Sequence, residues 1–234
     1  RTGAFKKNDV ILVRYDLPAI KLAEILQKKI LQQGMNPVMR LSATAAMELN
    51  FFSLANPEQL VFQAPGDKEL YAHLHGSIYL HAPESLTHLS GVDPRKIGAA
   101  AVARKPLRDI LNKREEHGLF GWTLCSLPTP AQAQHARLSL KEYEHQIIKA
   151  CYLDAAHPVR EWQRILQNAT EIKKWLNAMA VKAYHIESAG VDLIITPGEK
   201  RKWVGISGHN IPSFELFLSP DWRGTQGRYF ANQP

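Results

Sequence analysis

The residue in this chain with the clearest capacity for chemistry is Glu215, an isolated carboxylate in an apolar segment. It stands between Phe214 and Leu216 within residues 208–220, where a β-strand would bury its side chain. A buried carboxylate is costly unless a cation, a metal ion or several hydrogen-bond donors compensate its charge. The pattern leaves two interpretations open: a metal ligand, or an edge-strand carboxylate that faces water or pairs with Lys202.

Three further residues of this region have predicted roles. Asn210 and Pro212 precede Glu215, and we expect them to form the turn that presents its carboxylate, since Asn tolerates left-handed backbone and Pro fixes φ. Asp192 is a second acid in an apolar strand. We expect backbone amides to donate hydrogen bonds to it.

Histidines offer a second possible metal site. His73, His75 and His81 are two and eight residues apart, so an uninterrupted strand would place them on one face. Gly76 interrupts that pattern, and we expect them to be ordinary surface or packing residues. The chain also lacks the H-E-x-x-H, G-x-S-x-G, P-loop and G-x-G-x-x-G motifs, which excludes the enzyme sites built on those patterns.

Composition and charge bound the class of protein. The formal charge of +7 raises the possibility of nucleic-acid binding, but residues 104–114 place their basic side chains at helical spacing, as on a solvated helix face. We therefore expect no nucleic-acid partner. No apolar run approaches the roughly 20 residues that span a bilayer, and Cys125 and Cys151 have no metal-ligand spacing. These features predict a soluble cytoplasmic protein without a membrane partner.

The order of predicted elements indicates an α/β fold. Apolar runs at 9–14 and 37–41 flank a helix at 20–33, which is a βαβ unit and implies a parallel sheet. Further strands are predicted at 77–81 and 121–126. Helices are predicted within 57–71, at 94–116 with a division at Pro106, from Ser139 and Glu142, and at 158–181.

The pattern changes after Val181. Short β segments follow at 184–187, 191–196, 202–206 and 214–218. We therefore predict an open, mostly parallel sheet flanked by helices in residues 1–181, and the first β-strands of a second, catalytic domain in 182–234.

The segment from Gly208 to Pro220 reads G-x-N-x-P-x-x-E-x-F-x-x-P, and it follows a V-D-L strand at 191–193 and Lys202-Trp203. This pattern resembles the metal-dependent exopeptidases typified by bacterial aminopeptidases T and S, often labelled leucyl aminopeptidases. Further blocks resemble that family in the same order, at 91–97, 104–107, 128–134, 139–144 and 175–177. Two residues depart from the pattern: His209 stands where a basic residue is common, and Phe214 where a small one is common.

The resemblance implies a dinuclear aminopeptidase that uses two zinc or cobalt ions and acts on peptides, in family members that form homodimers. It implies that Glu215 is one metal ligand and that another glutamate, two histidines, an aspartate and a tyrosine follow far downstream. After Glu215 this sequence contains only one acid, Asp221, and no histidine. We therefore expect an N-terminal portion that by itself does not retain the metal pair and is inactive, with no catalytic residue of its own.

Two other functions remain open. An α/β domain can hold its own ligand at the carboxyl ends of its strands, which here would be near Ser42, His81 and Ser126. A basic nucleic-acid-associated protein is the less favoured alternative.

Overall fold

The computed structural model describes residues 4–205 and 208–231. In chain order the strands are β1 (Val10–Tyr15), β2 (Asn36–Leu41), β3 (Gly76–His81), β4 (Gly121–Ser126), β5 (Tyr184–Ser188), β6 (Val191–Ile195), β7 (Val204–Gly205), β8 (Asn210–Ile211), β9 (Leu216–Phe217) and β10 (Thr225–Tyr229). The helices are α1 (Ile20–Gln32), α2 (Ala45–Leu54), α3 (Pro57–Leu60), α4 (Asp67–His73), α5 (Pro94–Ala103), α6 (Lys105–Glu116), α7 (Pro130–His135), α8 (Leu140–Ala150) and α9 (Pro158–Ala178).

The first half of the chain is organised around a five-stranded parallel sheet with the order β2-β1-β3-β4-β8. Strand β1, which lies between β2 and β3, is almost entirely apolar, as expected of a strand covered on both faces. Val13 and Leu80 pack with Ala23 and Ile30 of α1 on one face. On the other face Leu12 packs with residues of α4 and α6. Helices thus flank the sheet, and the predicted α/β fold is confirmed.

Most predicted elements of this half are found within one or two residues of their expected ends. The division of 94–116 is also confirmed, because α5 ends at Ala103 and Pro106 lies in the first turn of α6. Two helices were not predicted. The apolar residues of α2 occur all round the helix, so no amphipathic period marks it, whereas α7 carries a capping box of Thr129 and Gln132 that could have revealed it.

By their contacts the described residues fall into two compact units. The first holds those up to Cys151 together with His209–Ile211, and the second holds those from Tyr152 onward apart from that segment. In the second unit β10, β6 and β5 form an antiparallel sheet, and β7 pairs with β9. Near Val181 the chain changes from helix α9 to these strands, and the assignment of a domain boundary there stays a prediction.

The predicted strands after residue 200 are shorter than expected. β7 covers only Val204–Gly205 of the predicted range 202–206, and Ile206 lies outside the described residues. β9 covers Leu216–Phe217 of 214–218, while β8 and β10 were not predicted. No helix within 4–205 and 208–231 combines the length and apolar character needed to cross a membrane.

Asp192 contacts a side chain rather than the backbone amides that we expected. His185 Nε2 lies 2.9 Å from Asp192 Oδ1 across β5 and β6. This hydrogen bond is the main reason that the pKa of His185 is raised above its usual value, and the charges of Glu187 and Asp192 add to it. Asp192 therefore pairs with His185 on an exposed face of the sheet.

We predict that Asp192→Asn lowers the pKa of His185, because the charged acceptor is lost. A raised pKa in the folded state stabilises the fold below the unfolded pKa of about 6.5. That contribution disappears as the pH rises through the folded pKa. An NMR titration of the imidazole measures the shift, with Asp221→Asn in the same unit as control. An unchanged His185 pKa in Asp192→Asn would contradict the assignment.

Candidate functional site

Glu215 lies immediately before β9, which pairs with β7 through Val204–Phe217 and Gly205–Leu216. Its side chain is exposed, so the expected burial of this carboxylate is wrong. The reason is that β9 is only two residues long and begins after Glu215. Among the described residues Glu215 forms no ion pair with Lys202, and its carboxylate is therefore held by donors of its own segment.

Those donors are the Ser213 hydroxyl and a backbone amide. Ser213 Oγ lies 3.1 Å and 3.0 Å from the two carboxylate oxygens of Glu215, and the Phe214 N–H donates to Oε2 at 3.0 Å. Hydrogen bonding from the backbone of Glu215 itself, followed by that from Ser213, lowers the pKa of Glu215 below its usual value. Glu215 is therefore an ionised and oriented carboxylate, which is the state that a metal ligand requires.

The residues that precede this segment are anchored to β4. Asn210 and Ile211 pair with Leu124 and Cys125, and Leu124 N–H donates to the His209 carbonyl oxygen at 2.6 Å. Asn210 therefore belongs to a strand, and the left-handed turn we expected of it is wrong. The residue with positive φ in this segment is Gly208, at 75°.

The two departures from the family pattern make defined contacts. In the first unit, the His209 ring stacks on Trp122 with centroids 4.3 Å apart, and His209 Nε2 lies 3.1 Å from Glu115 Oε1. In the second unit, Phe214 stacks on Trp162 at 5.3 Å. Each departure therefore fixes part of the segment that carries Glu215.

Gly205 makes a close backbone approach to Glu215. Its φ is 155°, and a Cβ there would meet the Glu215 carbonyl oxygen and lie 2.8 Å from Leu216 Cα. We predict that Gly205→Ala separates β9 from β7 and lowers the free energy of unfolding by at least about 2 kcal/mol. Urea denaturation measures this loss.

Gly208→Ala is the matched control, because its φ is also positive but its Cβ would meet nothing within 4 Å. Only left-handed strain of about 1 kcal/mol is expected there. Equal losses in the two variants would show that the contact with Glu215 does not matter.

The three predicted histidines do not converge. His73 Nδ1 contacts the Glu69 carbonyl oxygen, whereas His75 Nδ1 accepts from Val10 N–H. His81 instead contacts side chains at the opposite ends of the strands. The three side chains therefore have separate partners, and their assignment as ordinary surface or packing residues stays a prediction.

In the described residues, side chains that could bind a metal ion occur singly or in pairs. No group of three or more His, Cys, Asp or Glu side chains within the described ranges is placed to hold a metal ion. Asp221 is engaged by Arg223 at 2.6 Å, and this bond lowers the pKa of Asp221 to about 2. Glu215 can therefore supply one ligand, but these residues do not fit a complete metal site.

The carboxyl ends of the parallel strands carry a polar cluster that was only partly predicted. Asp16 and Tyr79, which we did not predict, contact His81 there. Their signal was available, because Asp16 directly follows an apolar strand and Tyr79 stands two residues before His81. Of the other predicted residues, Ser126 Oγ accepts from Gln132 Nε2, and the Ser42 hydroxyl is buried.

Comparisons with known proteins agree with this architecture. Wild-type AmpT from Thermus thermophilus superposes with a TM-score of 0.75 at 20% identity, over 95% of this chain and 59% of AmpT, which shows a shared fold. Aminopeptidase PepS of Streptococcus thermophilus is 22% identical over 161 residues, which are 62% of this chain and 39% of PepS. The chain thus spans only part of both relatives. The profile of the thermophilic metalloprotease family (M29) matches residues 1–234, and the chain belongs to that family.

Proposed function

We propose that this chain is part of a metal-dependent aminopeptidase that removes N-terminal residues from peptides. The observation that carries the proposal is the match of the metalloprotease family over the whole chain. The similarity to aminopeptidase PepS supports the same reaction class. The exposed, ionised carboxylate of Glu215 is a residue of this chain that could coordinate the metal ion.

Glu215 is the residue of this chain that we assign to the metal. Two divalent ions, zinc or cobalt, would generate a nucleophilic water at neutral pH and polarise the scissile carbonyl. The chain's own contribution is to keep Glu215 charged and oriented through Ser213 Oγ and Phe214 N–H. Such supporting hydrogen bonds orient the ligands of metal sites.

We further propose that residues 1–181 form an N-terminal α/β domain and 182–234 the beginning of the catalytic domain. The remaining ligands come from a part of the enzyme outside residues 1–234, which agrees with the partial coverage of AmpT and PepS. This portion alone is then inactive and does not retain the metal pair. The active protein is a cytoplasmic homodimer in this proposal, without a nucleic-acid or membrane partner.

The test is hydrolysis of leucine p-nitroanilide with added Zn²⁺ or Co²⁺. We expect the 234-residue chain to show less than about 1% of the rate of the full-length enzyme, because the Lewis-acid contribution of a complete metal site is missing. Activity of the isolated chain near that of the longer protein would overturn the division of the site. Failure of the longer protein to hydrolyse any aminoacyl p-nitroanilide would overturn the peptidase proposal itself.

A second candidate function is ligand binding by the α/β unit. One observation favours it: Asp16, Tyr79 and His81 converge at the carboxyl edge of the parallel sheet. Parallel α/β sheets bind ligands at this edge.

A further inference from the structure

A polar cluster lies at the point where the connections of the parallel sheet change direction. From β1 the chain passes to β2 on one side, and β3 lies on the other side of β1. This is the topological switch point, at which doubly wound sheets form a crevice outside the carboxyl ends of their strands. Asp16 follows β1 there, and His81 ends β3.

The carboxylate of Asp16 organises this cluster. It accepts a hydrogen bond from Tyr79 Oη at 3.1 Å and from Ala82 N–H at 2.8 Å, and His81 Nδ1 lies 3.3 Å from its Oδ2. The Asp16 side chain is only 14% exposed, whereas that of His81 is 36% exposed. Asp16 is therefore an internal support, and His81 is the member of the pair that solvent reaches.

The contacts determine which nitrogen of neutral His81 carries the proton. Burial, and next the charge of Asp16, raise the pKa of Tyr79, so its hydroxyl is protonated and donates to Asp16. Its oxygen then accepts from His81 Nδ1 at 3.2 Å. Because Nδ1 faces two acceptors, it carries the hydrogen, and Nε2 has a lone pair for a donor outside the cluster.

Arg14 provides a positive charge beside the same tyrosine. Its guanidinium carbon lies 4.0 Å from the centre of the Tyr79 ring, and the His81 ring centroid lies 5.5 Å from it. Arg14 is exposed although β1 is an interior strand of the sheet, and within the described residues it forms no ion pair with a carboxylate. A guanidinium held on an aromatic ring is preorganised for bidentate binding of an anion.

The neighbouring strand β2 places a second positive charge near Arg14. Arg40 of β2 stands opposite Arg14 in the register and is compensated by Asp67 at 3.2 Å. Like charges at opposed positions repel, so an anion at Arg14 would be stabilising. Ser42 follows β2, and its buried hydroxyl has no hydrogen-bond partner among the described residues. The Ser42 hydroxyl is thus able to form a hydrogen bond with a ligand at this edge of the sheet.

We propose that the switch point binds a small carboxylate that carries an N–H or O–H donor on the adjacent carbon. Arg14 binds the carboxylate, and His81 Nε2 accepts the adjacent donor. A monoanion suits the site better than a phosphate dianion, because Asp16 offsets the charge of Arg14. The ligand is either an α-hydroxy acid or the C-terminal residue of a peptide. This inference does not depend on the proposed peptidase activity.

The experiment is an NMR titration of the isotope-labelled chain that follows the backbone amides of Asp16 and Ala82. Lactate and N-acetylalanine should both shift these amides saturably. Propionate, which lacks the hydroxyl, and N-acetylalanine amide, which lacks the carboxylate, should bind at least about 10-fold more weakly, since each forfeits a specific hydrogen-bonded contact. Tighter binding of lactate assigns the site to hydroxy acids, and tighter binding of N-acetylalanine assigns it to peptide C-termini.

Variants distinguish specific binding at Arg14 from a general effect of the protein's positive charge. Arg14→Gln should weaken binding about 10-fold or more, and Arg14→Lys should also weaken it because the planar fork is lost. Arg95→Gln removes the same charge from an exposed residue at the start of α5 and should bind normally. Absence of saturable shifts, equal binding of the paired ligands, or equal effects of Arg14→Gln and Arg95→Gln would overturn the proposal.

Discussion

Replacing Glu215 by glutamine in the full-length enzyme should lower kcat/KM for leucine p-nitroanilide by about 1,000-fold, because a metal ion contributes several kcal/mol and each 1.36 kcal/mol is tenfold in rate. Glutamine keeps the size of the side chain and an oxygen that Ser213 and Phe214 N–H can reach. It removes the negative charge that a metal ligand supplies. The metal content of the purified variant should fall together with its activity.

The matched control is Glu171→Gln, which neutralises another exposed carboxylate, on α9. It should leave kcat/KM within about twofold, since surface substitutions are usually near neutral. If Glu215→Gln retains both its metal and its turnover, Glu215 is a surface carboxylate with local hydrogen bonds and nothing more. The assignment of this chain's only proposed metal ligand would then be lost.

Truncation of Leu80 to alanine should lower the free energy of unfolding by about 3 kcal/mol. Leu80 is fully buried in β3 and packs in the cluster that contains Val13 of β1 and Ala23 of α1. The variant loses the transfer free energy of the removed atoms and leaves a cavity between the sheet and its helix. Urea denaturation followed by far-UV circular dichroism measures the difference.

Leu54→Ala is the control for this measurement, because Leu54 is 80% exposed at the end of α2. Its cost should be no more than about 0.5 kcal/mol. A loss of less than about 1 kcal/mol in Leu80→Ala would show that this sheet face is not a packed core.

The parallel sheet was predictable because short apolar runs, such as the first four residues of β1, alternate with segments of helical periodicity. The same holds for local signals such as Pro106 between α5 and α6 and the capping box of Ser139 and Glu142 at α8. The shorter elements were harder to predict from the sequence. β8 is only two residues long, and its two residues form a strand only because β4 offers them partners.

For the segment that carries Glu215, the sequence predicted the key residue but not its exposure. Its motif indicated Glu215 as the metal ligand, yet the neighbouring apolar residues led to the wrong expectation of burial. Exposure was decided by where pairing with β7 begins, which is at Leu216. The Ser213 hydroxyl and the Phe214 N–H are sequence neighbours, but only the backbone path brings them onto the carboxylate.

The amino-acid sequence by itself determined the alternation of most strands and helices along the chain and the family resemblance, and it singled out Glu215 as the proposed metal ligand, because these depend on short-range periodicity and motif spacing. Only the tertiary structure decided which distant residues meet. Asp16 and Tyr79 are 63 residues apart along the chain and become neighbours because β1 and β3 are adjacent in the sheet. Strand order results from the packing of the whole unit, and no local pattern encodes it.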